Sequence, residues 1–323
     1  MLSDVREQEL GVRYLRKVVE GRIVDPLLLI GEEGVGRRFS VSEAAKELWS
    51  KGKPSSPHCY QLDHGVHPDF ILIKPPEGKE IGVDTIRELI RSTVTFPSLA
   101  KVRFVLLDGA DRMTPAAGNA LLKTLEQPPK RTQFFLLAER AEAVLPTIRS
   151  RCGEVHYNRL SEDFVKGVLI GDPEKPEMDP LRALVYTRLA EGSVSRAVSY
   201  SGAGVLDLRN RILNLVKMGL NGDLSPIFSA VDSLYSKKSE DDELSLGLRF
   251  LDLLVRDLVM VKYELSRLIN LDLSEELKTL SGQLGDNQIQ ALRLGLKTLQ
   301  DRSRGKVTIP FHVKSLFATV FSE

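Results

Sequence analysis

Cysteine is scarce in this sequence. The 323 residues include two cysteines, Cys59 and Cys152, which lie far apart along the chain. Two distant cysteines exclude a disulfide-rich scaffold and are typical of proteins in a reducing cytoplasm. The first residues are charged, and no window reaches the roughly 18 uninterrupted apolar residues that span a bilayer. We therefore expect a cytoplasmic protein without an export signal and without a membrane partner.

An excess of charge of either sign is also missing. The chain has 45 basic and 44 acidic side chains, which leaves a formal net charge of +1. A summed field near zero gives no strong attraction to DNA, and no segment interleaves aromatic with basic residues. These absences disfavour a lone DNA-binding module. Any contact with nucleic acid would come from a local basic stripe or from neighbouring chains in an assembly.

The order of apolar segments predicts an α/β domain at the start of the chain. Short apolar runs begin near residues 26, 70, 102 and 133, and helical patterns separate them. This alternation is the signature of a parallel sheet that is covered by helices on both faces. We therefore predict an α/β domain of the P-loop type over residues 1–158.

The remainder of the chain predicts helices alone. Strand signals stop after Tyr157, and Ser161 is a candidate N-cap for a helix that begins at Glu162. A chain of this length is expected to form two or three domains. We place a small helical domain over 159–203 and a larger all-α domain over 204–323.

A glycine-rich segment follows the first predicted strand. Gly31, Gly34 and Gly36 have the spacing of a P-loop, in which backbone amides and a helix N-terminus bind phosphates. A working P-loop continues with a lysine for the terminal phosphates and a hydroxyl residue for magnesium, but here these positions are Arg37 and Arg38. Arginine cannot ligate a metal cation. Taken by itself, the segment fits either a degenerate phosphate loop or a glycine-rich turn with no nucleotide history.

A second signal favours the degenerate phosphate loop. The predicted third strand ends in Asp108, where P-loop proteins place the carboxylate that orients magnesium. In many ATPases the next residue is a glutamate that polarises the attacking water, but here it is Gly109. Asp111 lies beyond that position and is expected to serve the start of the next helix. Magnesium binding and water activation are therefore both expected to be damaged.

Longer motifs resemble a known family. Residues 107–114 read LDGADRMT, residues 119–129 read NALLKTLEQPP, and residues 145–152 read LPTIRSRC. In order and spacing these motifs closely resemble the clamp-loader subunits of bacterial DNA polymerase III, which are AAA+ proteins. The tripeptide His67-Pro68-Asp69 also agrees with this family. Residues 190–197, AEGSVSRA, resemble the helical-lid segment that carries the sensor-2 arginine, which is Arg196 in this sequence.

The resemblance, which covers residues 1 to about 200, implies a role for Arg151. Loaders of this family are five-membered rings with ATP sites between neighbours, and an arginine of the Ser-Arg-Cys motif reaches into the adjacent site. On that basis Arg151 is an arginine finger that acts in trans. A guanidinium is permanently charged and can donate two hydrogen bonds to phosphate oxygens. The alternative for Arg151 is a structural salt bridge at a strand edge.

Departures from the ATP-hydrolysing members point to one branch of the family. Those members carry a polar sensor residue after the fourth strand, where this chain has Ala138. Together with the altered phosphate loop, this resembles the delta-prime branch, which in many bacteria neither binds nor hydrolyses ATP. The implied protein is a non-catalytic ring subunit without a cofactor of its own, and the alternative is an ATP-hydrolysing, gamma-like motor. Weak nucleotide or phosphate binding at Gly34, Gly36 and Arg37 stays open.

The resemblance also implies partners. They are the ATP-binding gamma/tau subunits, the delta subunit, primed DNA inside the ring and, weakly or indirectly, the sliding clamp. The lid over 159–203 would pack against a neighbour, and the helices over 204–323 would form the collar that assembles the ring. Arg112 and Lys123 are candidate contacts with DNA phosphates.

A metal site is a further candidate near the second predicted strand. Cys59, His64 and His67 could supply three ligands, but their spacing matches no common zinc site. We expect the histidines to lie in surface loops or to cap helices instead.

Overall fold

A parallel sheet of five strands forms the core of the first part of the chain. The computed structural model of the protein describes residues 1–22, 25–76, 79–171, 178–202, 204–236, 243–265, 267–302 and 309–321. The strands are Leu27–Ile30 (β1), Phe70–Ile73 (β2), Arg103–Asp108 (β3), Thr132–Ala138 (β4) and Gly153–His156 (β5). Their order is β2-β3-β4-β1-β5, and every neighbouring pair is parallel. The predicted parallel α/β architecture is confirmed.

The sequence pattern missed strand β5. Among the four residues of β5, Val155 alone is buried, so the strand lacks the apolar run that marked the others. It pairs with β1 in the register Leu27 to Gly153 and Ile30 to His156. This pairing makes β1 an interior strand.

Helices cover both faces of the sheet. The helices between the strands and before them are Glu9–Val19 (α1), Arg37–Ser50 (α2), Pro57–Asp63 (α3), Val83–Thr93 (α4), Pro115–Glu126 (α5) and Pro146–Arg149 (α6). Helix Glu162–Ile170 (α7) follows the last strand. Successive side chains of a strand point to opposite faces, so Leu27 and Leu29 pack with α1 and α2, while Leu28 and Ile30 pack with α4 and α5. Full burial of each such side chain contributes roughly 1.5–3 kcal/mol.

Local capping explains where several helices begin. Thr114 accepts a hydrogen bond from the amide of Ala117 at 3.2 Å, and Pro115 follows it at the first helical position. A short polar cap and a proline at this position satisfy or replace amides that lack a partner within the helix. Ser161 likewise caps α7, as the sequence predicts. Its hydroxyl oxygen accepts a hydrogen bond from the amide of Phe164 at 3.1 Å.

The rest of the described chain is helical. Its helices are Pro180–Ala190 (α8), Val194–Tyr200 (α9), Val205–Leu220 (α10), Ser225–Ser236 (α11), Glu243–Lys262 (α12), Ser274–Gln283 (α13), Asp286–Arg302 (α14) and Ile309–Phe321 (α15). Within the described ranges, no helix is long and apolar enough to cross a bilayer. The all-α character predicted for the C-terminal part is confirmed.

The chain divides into two compact units. One unit comprises Met1–Val165 with Gly192–Arg196, and the other comprises Lys166–Glu191 with Ala197–Glu323. The short segment Gly192–Arg196 therefore belongs with the sheet. The three-part division at 158/159 and 203/204 stays a prediction.

Buried polar side chains organise the loop segments of each unit. In the second unit the buried carboxylate of Asp257 accepts hydrogen bonds from the amides of Ile269 and Asn270 at 3.0 and 2.7 Å. In the first unit Asp69, which is 0% exposed, accepts the amides of Ser98, Leu99 and Ala100, each at 2.7 Å. Burial by itself would raise the pKa of Asp69, but these three hydrogen bonds outweigh it and hold the pKa below its usual 3.8.

Replacing the Asp69 carboxylate should destabilise the first unit. Asp69→Asn places an amide group among three amide donors, so we expect a loss of about 1–3 kcal/mol in the free energy of unfolding at neutral pH. Because the folded pKa is depressed, the carboxylate stabilises the protein above its usual pKa and loses this effect as pH falls through the folded pKa. Urea unfolding of both proteins over a pH series measures the difference.

The matched control for Asp69→Asn is Asp84→Asn. The Asp84 side chain is 86% exposed on α4, so its replacement should change stability by less than about 0.5 kcal/mol. Equal effects of the two substitutions would contradict the role assigned to Asp69.

Candidate functional sites at opposite edges of the sheet

The glycine-rich segment lies between β1 and α2, at the carboxyl edge of the sheet. The amide of Gly31 donates to the carbonyl of Ala138 at 3.1 Å, which ties the loop to the end of β4. Gly34 and Gly36 have φ angles of +79° and +96°, and Gly36 precedes the first residue of α2. The loop thus has the strand, glycine turn and helix arrangement that can present amides to an anion.

The segment Gly192–Arg196 packs directly on this loop. The amide of Val194 donates to the carbonyl of Gly34 at 3.0 Å, and the carbonyl of Gly192 accepts the amide of Leu160 at 3.0 Å. A Cβ atom added to Gly34 would lie 2.1 Å from the Ser193 hydroxyl oxygen. There is therefore no room for a side chain between the loop and the segment that covers it.

Arg196, the candidate sensor-2 arginine, lies beside the loop. Its partner there is Glu32, a residue of the loop itself, at 2.8 Å. Arg159 binds the same carboxylate at 2.6 and 2.7 Å. Burial by itself would raise the pKa of Glu32, but the two guanidinium groups outweigh it and hold the pKa below its usual range. The two arginines and Glu32 form a compact ionic cluster at the loop.

Arg37 and Arg38 point to different environments. Arg38 is exposed, whereas Arg37 is 7% exposed and one of its terminal nitrogens has no hydrogen-bond partner among the described residues. Burial lowers the pKa of Arg37, and the nearby carboxylates of Asp108, Glu139 and Asp111 oppose that effect. The buried guanidinium therefore lies in the field of the acidic side chains at the carboxyl edge of the sheet.

Asp111 differs from its predicted role. It was expected to serve the start of α5, but Thr114 caps that helix, and the Asp111 carboxylate instead accepts the amide of Glu139 at 3.1 Å. The loss of water around the Glu139 carboxyl group and the proximity of Asp111 raise the pKa of Glu139. Asp111 thus holds the turn after β4, because chain segments that follow neighbouring parallel strands meet at one edge of the sheet.

The backbone at Gly109 explains why no glutamate follows Asp108. Gly109 has a φ of +105°, and a Cβ atom there would lie 3.1 Å from Pro75. Side chains other than glycine seldom adopt this conformation. Gly109 has no side chain that could polarise a water. The backbone conformation at this position also disfavours a substitution of Gly109 by glutamate.

Arg151 lies at the amino edge of the sheet, opposite the glycine-rich loop. It comes two residues before Gly153, which pairs with Leu27 at the start of β1, whereas the loop follows Ile30 at the end of β1. At about 3.3 Å per residue, these two edges are separated by roughly 10 Å of strand. Arg151 therefore lies at the opposite edge of the sheet from the loop of its own chain.

An ion pair holds the Arg151 side chain. Its Nε donates to a carboxylate oxygen of Glu126 at 2.7 Å, and a terminal nitrogen donates to the carbonyl of Thr147 at 2.9 Å. The side chains of Arg151 and Glu126 remain 32% and 49% exposed. The salt bridge considered as the alternative role is present, and it leaves the guanidinium accessible.

The candidate metal ligands are not brought together. Within the described ranges, no group of three or more His, Cys, Asp or Glu side chains could hold a metal ion. Cys59 is buried on α3, and His64 is exposed with Nδ1 2.8 Å from the carbonyl of Tyr60. His67 is buried and stacks on Trp49 at 4.3 Å between ring centroids, so its expected surface position is wrong. The candidate ligands Cys59, His64 and His67 therefore lie in three different environments.

The candidate DNA contacts lie on the surface. Arg112 and Lys123 are both exposed, and Arg112 donates to the carbonyl of Lys79 at 2.9 Å. Their exposure leaves both side chains available to phosphates.

Comparisons with known proteins agree with the motifs. A family model described as DNA polymerase III, delta subunit, matches residues 8–161. The delta' subunit of DNA polymerase III from Escherichia coli K12 is 27% identical over 72% of this chain and 67% of its own length. The delta' subunit from Pseudomonas aeruginosa is 30% identical over 64% of this chain and 65% of its own. The delta' subunit from Bacillus subtilis is 25% identical over 86% of this chain and 84% of its own length.

Filling the space at Gly34 should disturb the covering segment. In Gly34→Ala the added Cβ would meet the hydroxyl oxygens of Ser193 and Ser195 at 2.1 and 2.3 Å, in addition to the strain of a positive φ. The strain alone costs roughly 1–2 kcal/mol, and we expect a loss beyond this range in urea unfolding. Gly36→Ala is the matched control, because it carries the same backbone strain with nothing within 4 Å. Equal losses would show that the segment does not pack on Gly34.

Proposed function

We propose that this chain acts as a non-catalytic, delta-prime-type subunit of the clamp loader. The proposal starts from the family of the chain, because it belongs to the clamp-loader family of DNA polymerase III subunits. In this role it donates Arg151 to the ATP site of a neighbouring subunit. It also contributes to the ring that loads the sliding clamp on primed DNA.

The loop at the carboxyl edge of β1 supports the absence of ATP hydrolysis. Arg38 stands where a hydroxyl residue would hold magnesium, and Gly109 and Ala138 cannot polarise a water or sense a phosphate. The segment Gly192–Arg196 already occupies the surface of the loop. In our proposal the chain needs no cofactor, and ATP is bound by the neighbours.

The position of Arg151 is the observation that carries the proposal. The arginine lies at the edge of the sheet opposite its own loop and remains accessible, so a phosphate on another chain is a suitable partner. Its pairing with Glu126 restricts the side chain before a neighbour arrives. A guanidinium supplied in trans stabilises the charge that develops on a transferred phosphoryl group and is worth about 10³ to 10⁵ in rate.

The proposed partners follow from the same family membership. They are gamma/tau and delta subunits, with the helices from α10 onward forming the collar of the ring. We propose at most a weak or indirect contact with the clamp. Arg112 and Lys123 are proposed to touch phosphates of primed DNA, and unchanged DNA affinity of the full loader carrying Arg112→Ala would exclude Arg112.

Removing the proposed finger should reduce hydrolysis in the assembled loader. With Arg151→Ala, we expect the ATP site served by this chain to lose about 10³-fold or more in rate, so that total activity falls by the share of that site. The measurement is steady-state ATPase of the loader reconstituted with its ATP-binding subunits, DNA and clamp. Size-exclusion chromatography checks that the ring still assembles.

Arg149→Ala is the matched control for the finger. Arg149 lies two residues away and pairs with Glu154 at 2.8 Å, and its removal should leave the loader's hydrolysis near the unsubstituted rate. The isolated chain, assayed alongside, should hydrolyse no ATP. Hydrolysis by the isolated chain would favour the gamma-like motor, and full activity of an intact Arg151→Ala loader would rule out the donated finger.

A further inference from the structure

Glu32 is the acidic residue that connects the loop to the segment covering it. Its two carboxylate oxygens are shared between two guanidinium groups, with Arg196 on Oε2 at 2.8 Å and Arg159 on Oε1 at 2.6 and 2.7 Å. The two arginines come from distant parts of the chain, 164 and 127 residues away from Glu32. Such a convergence of two arginines on one anion is a recognition arrangement and exceeds what a single surface ion pair provides.

The chemistry of this arrangement is that of phosphate binding. Guanidinium groups recognise carboxylates and phosphates with the same planar, hydrogen-bonded geometry. A glycine turn that leads into a helix N-terminus is a place where a phosphate would normally supply the anion. At this loop the anion that meets the two arginines is a side chain of the loop itself. We infer that Glu32 is an internal substitute for a nucleotide phosphate, which fixes the segment Gly192–Arg196 on the loop without any bound nucleotide.

The backbone contacts show how Glu32 can have this effect. Arg196 is the last residue of the covering segment, and Arg159 precedes Leu160, whose amide binds the carbonyl of Gly192 at the start of that segment. Between these two points Val194 donates to the carbonyl of Gly34. Glu32 therefore holds both ends of the segment, and the hydrogen bond of the Val194 amide reports whether the segment is seated.

A positive charge of the chain itself lies near the acidic side chains at the loop. The carboxylates of Asp108, Asp111 and Glu139 lie where a cation would be attracted, and the buried guanidinium of Arg37 lies in their field. Burial nevertheless outweighs this attraction and lowers the pKa of Arg37. The assignment of Glu32 therefore stands on its own contacts with Arg159 and Arg196.

The inference deepens the proposed function, because it rests on the proposed loss of nucleotide binding and names the residue that replaces the nucleotide. Its test uses the isolated chain and does not involve Arg151. Failure of the finger proposal in the assembled loader would therefore be distinguishable from failure of this one.

The test measures hydrogen exchange of the Val194 amide in Glu32→Gln. This substitution removes the charge of the side chain and keeps its size, so the ion pairs that Glu32 forms with Arg159 and Arg196 are lost. We expect exchange to accelerate about two- to thirtyfold, the range for loss of two partly exposed ion pairs. Millimolar pyrophosphate, used as the anion probe, should slow exchange again in the variant, because its oxygens can take the place of the carboxylate.

Two further proteins separate the inference from a general effect of charge. Glu33→Gln removes a neighbouring, exposed carboxylate of the same loop and should leave Val194 exchange unchanged. Arg196→Gln should accelerate exchange of the Val194 amide as Glu32→Gln does. Pyrophosphate should slow this exchange less in Arg196→Gln than in Glu32→Gln. Unchanged exchange in Glu32→Gln, an equal effect of Glu33→Gln, or equal pyrophosphate protection of the unsubstituted chain and Glu32→Gln would each overturn the inference. Circular dichroism of each variant confirms that it is folded.

Discussion

Strand β1 is hydrogen-bonded on both sides, to β4 and to β5, and both of its faces are buried. The positions of the two candidate functional regions, the glycine-rich loop and Arg151, depend on this interior strand. Because all strands run in the same direction, the glycine-rich loop follows β1 at one edge of the sheet. Arg151, which lies two residues before β5, is at the other edge. The chain therefore presents the loop at one edge of the sheet and an accessible guanidinium at the other, and our proposal of a site shared between neighbouring subunits depends on this layout.

The loop also illustrates how a binding site can be neutralised from within. Buried or half-buried charges are costly unless they are paired, and a loop that has lost its nucleotide would leave several such charges behind. Here Glu32 pairs with Arg159 and Arg196, and Arg37 lies among the acidic side chains that follow β3 and β4. In our proposal Glu32 supplies the anion that stabilises the region without ligand, whereas burial of Arg37 outweighs the attraction of the surrounding carboxylates and lowers the pKa of its guanidinium. In our proposal Glu32 thereby converts a nucleotide-dependent contact into a permanent one.

Much of the fold was predictable from local patterns. Apolar runs marked β1 to β4, the glycine spacing marked the turn into α2, and Ser161 marked the start of α7, since each of these signals depends on residues close in sequence. Strand β5 was missed because an edge strand with one buried residue carries little hydrophobic signal. The role of Asp111 was wrong for a related reason, since its partner Glu139 follows a different strand and meets it only in the folded sheet.

The sequence by itself determined the fold class, the altered chemistry at Arg37, Arg38 and Gly109, and the motifs that resemble clamp loaders, because residue type and spacing are local properties. The tertiary structure alone decided that the described side chains of Cys59, His64 and His67 do not come together, that Arg151 lies at the edge of the sheet opposite its own loop, and that Glu32 pairs with Arg159 and Arg196. The physical reason is that ion pairs and ligand clusters depend on distances between segments far apart in the chain, and the packing of strands and helices sets those distances.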